Sequence, residues 1–287
     1  MSVDILQEKI RKCKNPAVLC LEPEISLIPP ALLADEENLA AAYGSYCTQL
    51  LTALQGVFPA VRIGYHAFAV LGAEGLTALD QVRHCARELG YYLIADLDAG
   101  FTGTLAKLWG EKILGQDGYD AMTVTPYPGS DVAKQYLDHC KAGKMILAQI
   151  KTPNKTGPEL QDLLSGGRLV YIAAADLVYR WGQNLYGRCG YRQVGAMMAA
   201  NSADSLRSVR TKYKELFILV SGLDVSGGNA KNASFAFDRL GHGAAVCVGT
   251  SILGAWQEVE DCEDYIACAK EAAERVKKNI GRYVTVL

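Results

Sequence analysis

Eight short apolar runs, each followed by a longer stretch with helical periodicity, limit the folds open to this chain more than any other feature. The runs are 17–21, 60–64, 92–97, 121–125, 145–150, 194–199, 216–221 and 244–249. Each is rich in β-branched or apolar residues and bounded by Gly, Pro, Asp or Asn, as strands are. Between them, helical spacing covers 39–54, then 73–89 with Leu76, Leu79, Val82 and Ala86 on one face,. It continues over 104–114, 131–141, 169–185, 202–216 and 230–240, and 251–279 reads as more than one helix. Near-continuous apolar strands, each with a crossover helix, imply a parallel sheet buried on both faces. Eight such units at this length predict an α/β fold, a single (β/α)8 TIM barrel occupying 1–287 as one domain, with a doubly wound open sheet as the alternative. The Gly-, Pro-, Asn- and Lys-rich segment 151–168 is long for a connection and is expected to be an active-site lid,.

Composition removes several function classes. Half of the 287 residues are hydrophobic and the formal net charge is -2, so no global basic field favours nucleic acid or an anionic membrane,. No apolar run approaches membrane-spanning length. The first residues carry early acidic side chains and no long apolar core, unlike a secretory signal, which makes the cytoplasm the expected location,. Nine cysteines without a C-x-x-C pair argue against a disulfide framework and a zinc site, and Cys20 and Cys247 fall in apolar runs, where a thiol acts as a small hydrophobe,.

The chemistry is expected at the carboxyl ends of the strands. Asp96 and Asp98 stand at the end of the third run, and Glu22 follows the first. Arg62 lies within the apolar second run, where a lone charge needs a partner, and Asp96 or Asp98 is the natural one. That pairing is either structural or catalytic. Glu22, Asp96 and Asp98 together would also suit Mg²⁺, although Asp98 neutralising Arg62 is the preferred reading and no metal site is assigned. His66, just past the second run, is a loop histidine with a lesser claim to acid–base work. Lys151 either faces a ligand or is solvated. The backbone N–H groups of Gly227, Gly228 and Gly249 could line an anion site. No nucleophile elbow, dinucleotide fingerprint or Walker loop is present.

In order and spacing, a set of motifs from about Lys14 to Trp256 resembles the orotidine 5'-phosphate decarboxylase family, in its longer bacterial form. They are Asn15-Pro-Ala-Val-Leu-Cys-Leu-Glu-Pro23, Val61-Arg-Ile-Gly64 with Gly72-Ala-Glu-Gly75, Thr123-Val-Thr-Pro-Tyr-Pro-Gly-Ser-Asp131, Lys151-Thr-Pro-Asn154 with Gln161-Asp-Leu163, Trp181-Gly-Gln-Asn184, Val194-Gly-Ala196 and Gly227-Gly228. The resemblance implies a cofactor-free homodimeric lyase of pyrimidine biosynthesis, converting OMP to UMP. By it, Arg62, Asp96 and Asp98 fall at catalytic positions. Glu22, Lys151, Thr152, Ser226, Gly227, Gly228, Gly249 and Thr250 fall at positions that bind a small, nucleotide or otherwise phosphorylated ligand.

The departures lie at the centre of that pattern. The family's second-strand Lys is Arg62, its catalytic Lys is Asp98, and its second Asp is Phe101, a position that in the family reaches the partner subunit's site. Its phosphate-clamping Arg is Thr250, the Gln before Gly-Gly is Ser226, and the base-contacting lid Ser is Pro153. A carboxylate cannot supply a lysine proton at neutral pH without a strongly raised pKa, and threonine cannot imitate a guanidinium fork. Efficient decarboxylation is therefore not expected. A divergent decarboxylase, a different lyase or sugar/nucleotide-type enzyme on the same barrel, and a non-catalytic metabolite-binding paralogue are the three alternatives.

Overall fold

The computed structural model describes residues 1–224, 227–260 and 262–287. Eight parallel strands close into a barrel: β1 (Ala17–Leu21), β2 (Ala60–Gly64), β3 (Tyr92–Ala99), β4 (Ala121–Val124), β5 (Met145–Gln149), β6 (Val194–Ala199), β7 (Ile218–Ser221) and β8 (Ala244–Val248). Neighbours in space are neighbours in sequence, and β1 closes the ring against β8. This is the expected (β/α)8 barrel rather than the open sheet.

Strand side chains alternate between two cores. One set, including Leu19, Leu21, Val61, Ile63, Leu93 and Ala95, faces the surrounding helices. The other, including Val18, Cys20, Tyr92, Ile94, Leu147, Leu219 and Cys247, fills the barrel interior. The amino-terminal mouth is closed by a helix that the sequence reading did not assign, Ser2–Cys13. Its Val3, Leu6 and Ile10 join the interior cluster. Ser2 Oγ lies 2.6 Å from the Tyr92 hydroxyl, and the Val3 N–H donates to Gln193 Oε1 at 2.9 Å. With the lower end plugged, the barrel interior opens toward the carboxyl end.

Most expected helices form within a residue or two, as with Leu39–Ala53, Gly72–Glu88 and Ser130–Lys141. Three are shorter than their periodicity suggests: that expected over 169–185 is Val170–Trp181, and two others are cut further. The helix expected over 202–216 is Ala203–Lys212, and that over 230–240 is Ala230–Ala233 with a 3₁₀ turn Ser234–Ala236. One buried side chain is positioned to account for both. Arg210 donates to the carbonyls of Lys214, Leu216, Ala236 and Gly243 at 2.6–2.9 Å, which holds each backbone away from further helical bonding. The lid segment carries the short helix Pro158–Gln161 and a two-residue hairpin, Leu164–Ser165 with Arg168–Leu169. All nine cysteines are free, with the sulfurs of Cys262 and Cys268 2.9 Å apart.

Candidate functional site

Strand parity builds the site. Moving two residues on from the interior positions Ala60, Ile94, Ala121, Leu147, Leu219 and Cys247 gives Arg62, Asp96, Thr123, Gln149, Ser221 and Gly249 at the upper end of the barrel. A cavity of about 560 Å³ opens there, lined in part by Glu22, Arg62, Asp96, Asp98, Gln149 and Met197, with Asp224, Gly249 and Thr250 on the rim. That volume suits a small molecule.

Arg62 is the centre of the floor and is 8% exposed. Its neighbour in register on β1 is Cys20. Its Nη2 donates to Glu22 Oε1 and lies 3.1 Å from Asp96 Oδ2. Burial opposes the guanidinium charge, but the groups around it, the carboxylates of Asp96 and Asp98 included, more than offset it and push the pKa above its ordinary value. Among the described residues, donor capacity is left over: Nη1 meets only the Met197 sulfur at 3.7 Å, and Nε has no partner.

Asp98 owes its place to a break in β3. Pairing with β4 shifts between Ala95 and Ala99, and Asp98 takes a left-handed φ of 44°, a conformation that non-glycine residues hold only under constraint. The constraint is Thr123, fully buried. Its hydroxyl accepts the N–H groups of Leu97 at 2.9 Å and Asp98 at 2.8 Å and donates to Asp96 Oδ1 at 2.9 Å. One threonine thus turns the strand end and fixes Asp96. Asp98 is wetted by the cavity, yet the protein around it replaces enough bulk water to raise its pKa; Asp96 adds to this, and Arg62 and Thr123 oppose it.

A pH-dependent prediction follows for Asp98→Asn. At pH below the ordinary carboxylate range Asp98 is protonated folded or unfolded, and its raised pKa has no effect on stability. As pH rises the unfolded chain ionises first, so the folded state loses stability until Asp98 also ionises. Asparagine removes the charge and tolerates a left-handed φ. The variant is expected to be more stable than the parent at pH 7.5, with a smaller gain at pH 4.5, in urea melts. An equal gain at both pH values would assign the effect to the backbone instead.

The other candidates are dispersed. Gly249 and Thr250 line the cavity, whereas Lys151, Thr152, Gly227 and Gly228 do not, and Ser226 lies outside the described residues. Lys151 is neither solvated nor aimed at the cavity. It is 4% exposed, 2.5 Å from Asp162 and 4.7 Å from the centre of the Tyr171 ring. Thr152 is held by the Gln161 side chain, which donates to its hydroxyl at 2.6 Å and accepts its N–H at 3.1 Å. Both residues therefore tie the lid down. His66 Nε2 binds the Leu97 carbonyl at 3.0 Å. Phe101 stacks on Trp109, 5.3 Å between ring centres. Glu22 and Asp96, which would begin a Mg²⁺ site, both turn to Arg62. Among the described residues, no three His, Cys, Asp or Glu side chains form a group suited to a metal ion.

Sequence reasoning missed Gln149, Thr123, Met197, Ser221, Glu24 and Asp224. Strand parity could have found the first four. Cys20 and Cys247, read as buried hydrophobes, are 5% exposed and also line the floor. The neighbouring Cys247 thiol and burial push the Cys20 thiol's pKa up.

No protein-family model matches the chain. Curated relatives do. It is 29% identical to orotidine 5'-phosphate decarboxylase of Rhodopirellula baltica over 262 residues, 86% of this chain and 87% of that one. It is 25% identical to the Clostridium novyi enzyme of the same name over 284 residues, 98% of each. Among solved structures, Leishmania donovani UMP synthase matches with a TM-score of 0.78 and 25% identity, over 96% of this chain and 56% of that one. A Toxoplasma gondii structure described as a putative orotidine-monophosphate decarboxylase matches with a TM-score of 0.81 and 19% identity, over 97% and 98%. The chain is thus similar to orotidine 5'-phosphate decarboxylases along nearly its whole length, in sequence and in fold.

Proposed function

We propose that this chain is an orotidine 5'-phosphate decarboxylase-like barrel that binds a small polar molecule in its carboxyl-face cavity and does not decarboxylate OMP efficiently. One observation carries the reading. Among the described residues that line the cavity, Arg62 is the only Lys or Arg, and it is engaged by Glu22 and Asp96. A guanidinium gives up a proton far less readily than an ammonium group, and negative neighbours tighten its hold further. At the position that the resemblance aligns with the catalytic lysine, Asp98 presents a carboxyl group on the same cavity. A missing general acid alone lowers a rate by about 10²–10⁴-fold, and reversing the local charge lowers it further.

Binding can outlast the lost chemistry. The cavity is formed, its lower end is plugged, and Arg62 Nη1 meets the weak acceptor Met197 Sδ at 3.7 Å. The same reading makes the protein a homodimer acting in the cytoplasm, supported by the resemblance. A second reading, a different lyase or sugar/nucleotide-type reaction, draws its support from Asp98: a carboxyl group in a constrained backbone with a raised pKa, on a cavity wall, is suited to acid–base work. In a bacterium lacking its own decarboxylase, expression of this protein is expected not to restore growth without uracil. Rescue at the rate given by a working decarboxylase would overturn the proposal.

A further inference from the structure

The cavity rim holds a set of anion-binding donors that the protein fills itself. Past β8 the chain turns through Gly249, Thr250 and Ser251. There the N–H of Gly249 donates to Asp224 Oδ2 at 2.8 Å, the N–H of Ser251 to the same oxygen at 3.4 Å, and the Ser251 hydroxyl to Oδ1 at 2.9 Å. Asp224 comes from the loop after β7 and lines the cavity beside Gly249 and Thr250. A carboxylate on two backbone N–H groups and a hydroxyl has the place and charge of a ligand's anionic group.

The rest of the wall favours the same sign. Among the described lining residues, Glu22, Glu24, Asp96, Asp98 and Asp224 supply five carboxyl groups against the single Arg62 cation. A phosphomonoester entering here would displace Asp224 from its donors and face the other four. We infer that Asp224 is a specificity-determining residue: it substitutes internally for a ligand's phosphate, so that the cavity takes a non-phosphorylated ligand. That ligand is neutral or cationic, with hydroxyl or amine donors for the carboxylates and an acceptor for the Arg62 guanidinium. The inference rests on the cavity being a ligand site, as proposed above.

The test uses inorganic phosphate and UMP as probes on the full chain, with Asp224→Ala and Asp224→Asn. Titration calorimetry and phosphate-dependent melting at constant ionic strength read the binding. The parent protein is expected to show no stabilisation by phosphate and weaker binding of UMP than of uridine. Asp224→Ala frees the donors and removes a charge, so the affinity for UMP relative to uridine is expected to rise about tenfold or more. Asp224→Asn keeps the shape, guards against misfolding of the alanine variant, and is expected to give a smaller rise. Phosphate binding by the parent protein, tighter parent binding of UMP than of uridine, or no gain for UMP in a folded variant would each overturn the inference. Turnover of OMP is a separate readout that bears on the proposed function alone.

Discussion

Arg62→Ala is expected to destabilise the protein by about 3–5 kcal/mol at pH 7.5, the usual effect of removing one partner from a buried ion pair. Among the described residues lining the cavity, Arg62 is the only Lys or Arg beside Glu22, Asp96 and Asp98. Without it, these carboxylates repel one another in a site only partly reached by water, and the already raised pKa of Asp98 rises further. A raised carboxyl pKa costs stability above the ordinary carboxylate range and nothing below it. The loss is therefore expected to shrink between pH 7.5 and pH 5. Adding Asp98→Asn to Arg62→Ala should recover part of it at pH 7.5. Urea melts at the two pH values decide the matter. A loss below about 1 kcal/mol, or one independent of pH, would match an exposed pair and contradict the account of the floor.

Gly228→Ala is expected to be among the most damaging single-methyl additions in the chain, and its neighbour provides the control. A Cβ on Gly228 would overlap the carbonyl oxygen of Gly222 and press on Ala200 Cβ at 3.0 Å. Backbone cannot yield as a flexible side chain can, so a loss of about 1–3 kcal/mol or more is expected. Gly222 and Gly228 are the touching ends of the loop that carries Asp224, so the variant should also loosen the carboxylate from Gly249 and Ser251. At Gly227 a Cβ meets nothing within 4 Å among the described residues, and the φ of 74° is what resists it there. Gly227→Ala should then lose about 1 kcal/mol. Similar losses from the two variants, measured by denaturant melts, would contradict the close approach of the loop ends.

The barrel was readable because its strands are buried on both faces. Ala17–Leu21, Ala60–Gly64 and Val194–Ala199 are apolar without interruption, apart from Arg62 and the glycines, and their ends matched the expected positions. What periodicity could not show was tertiary capture. Nothing local to 230–240 indicates that Arg210 takes the Ala236 carbonyl. The plug helix Ser2–Cys13 was legible in principle, since Val3, Leu6 and Ile10 repeat at helical spacing. The acidic wall of the site was half legible. Asp96 and Arg62 follow from strand position. Asp224 sits in a loop without distinctive spacing, and its importance comes from where the turn after β8 places its N–H groups. The lid candidates Lys151 and Thr152 were placed by resemblance, and their side chains turn to Asp162 and Gln161 instead.

The most direct measurement is turnover of OMP by the purified protein, followed by its ultraviolet absorbance, beside a working decarboxylase and the Arg62→Ala and Asp96→Ala variants. The account predicts a rate at least about 10⁴-fold below that enzyme, from the missing general acid and the reversed charge together. A rate within tenfold of it, abolished by both substitutions, would show that Arg62 has taken over the cationic role and would contradict the account.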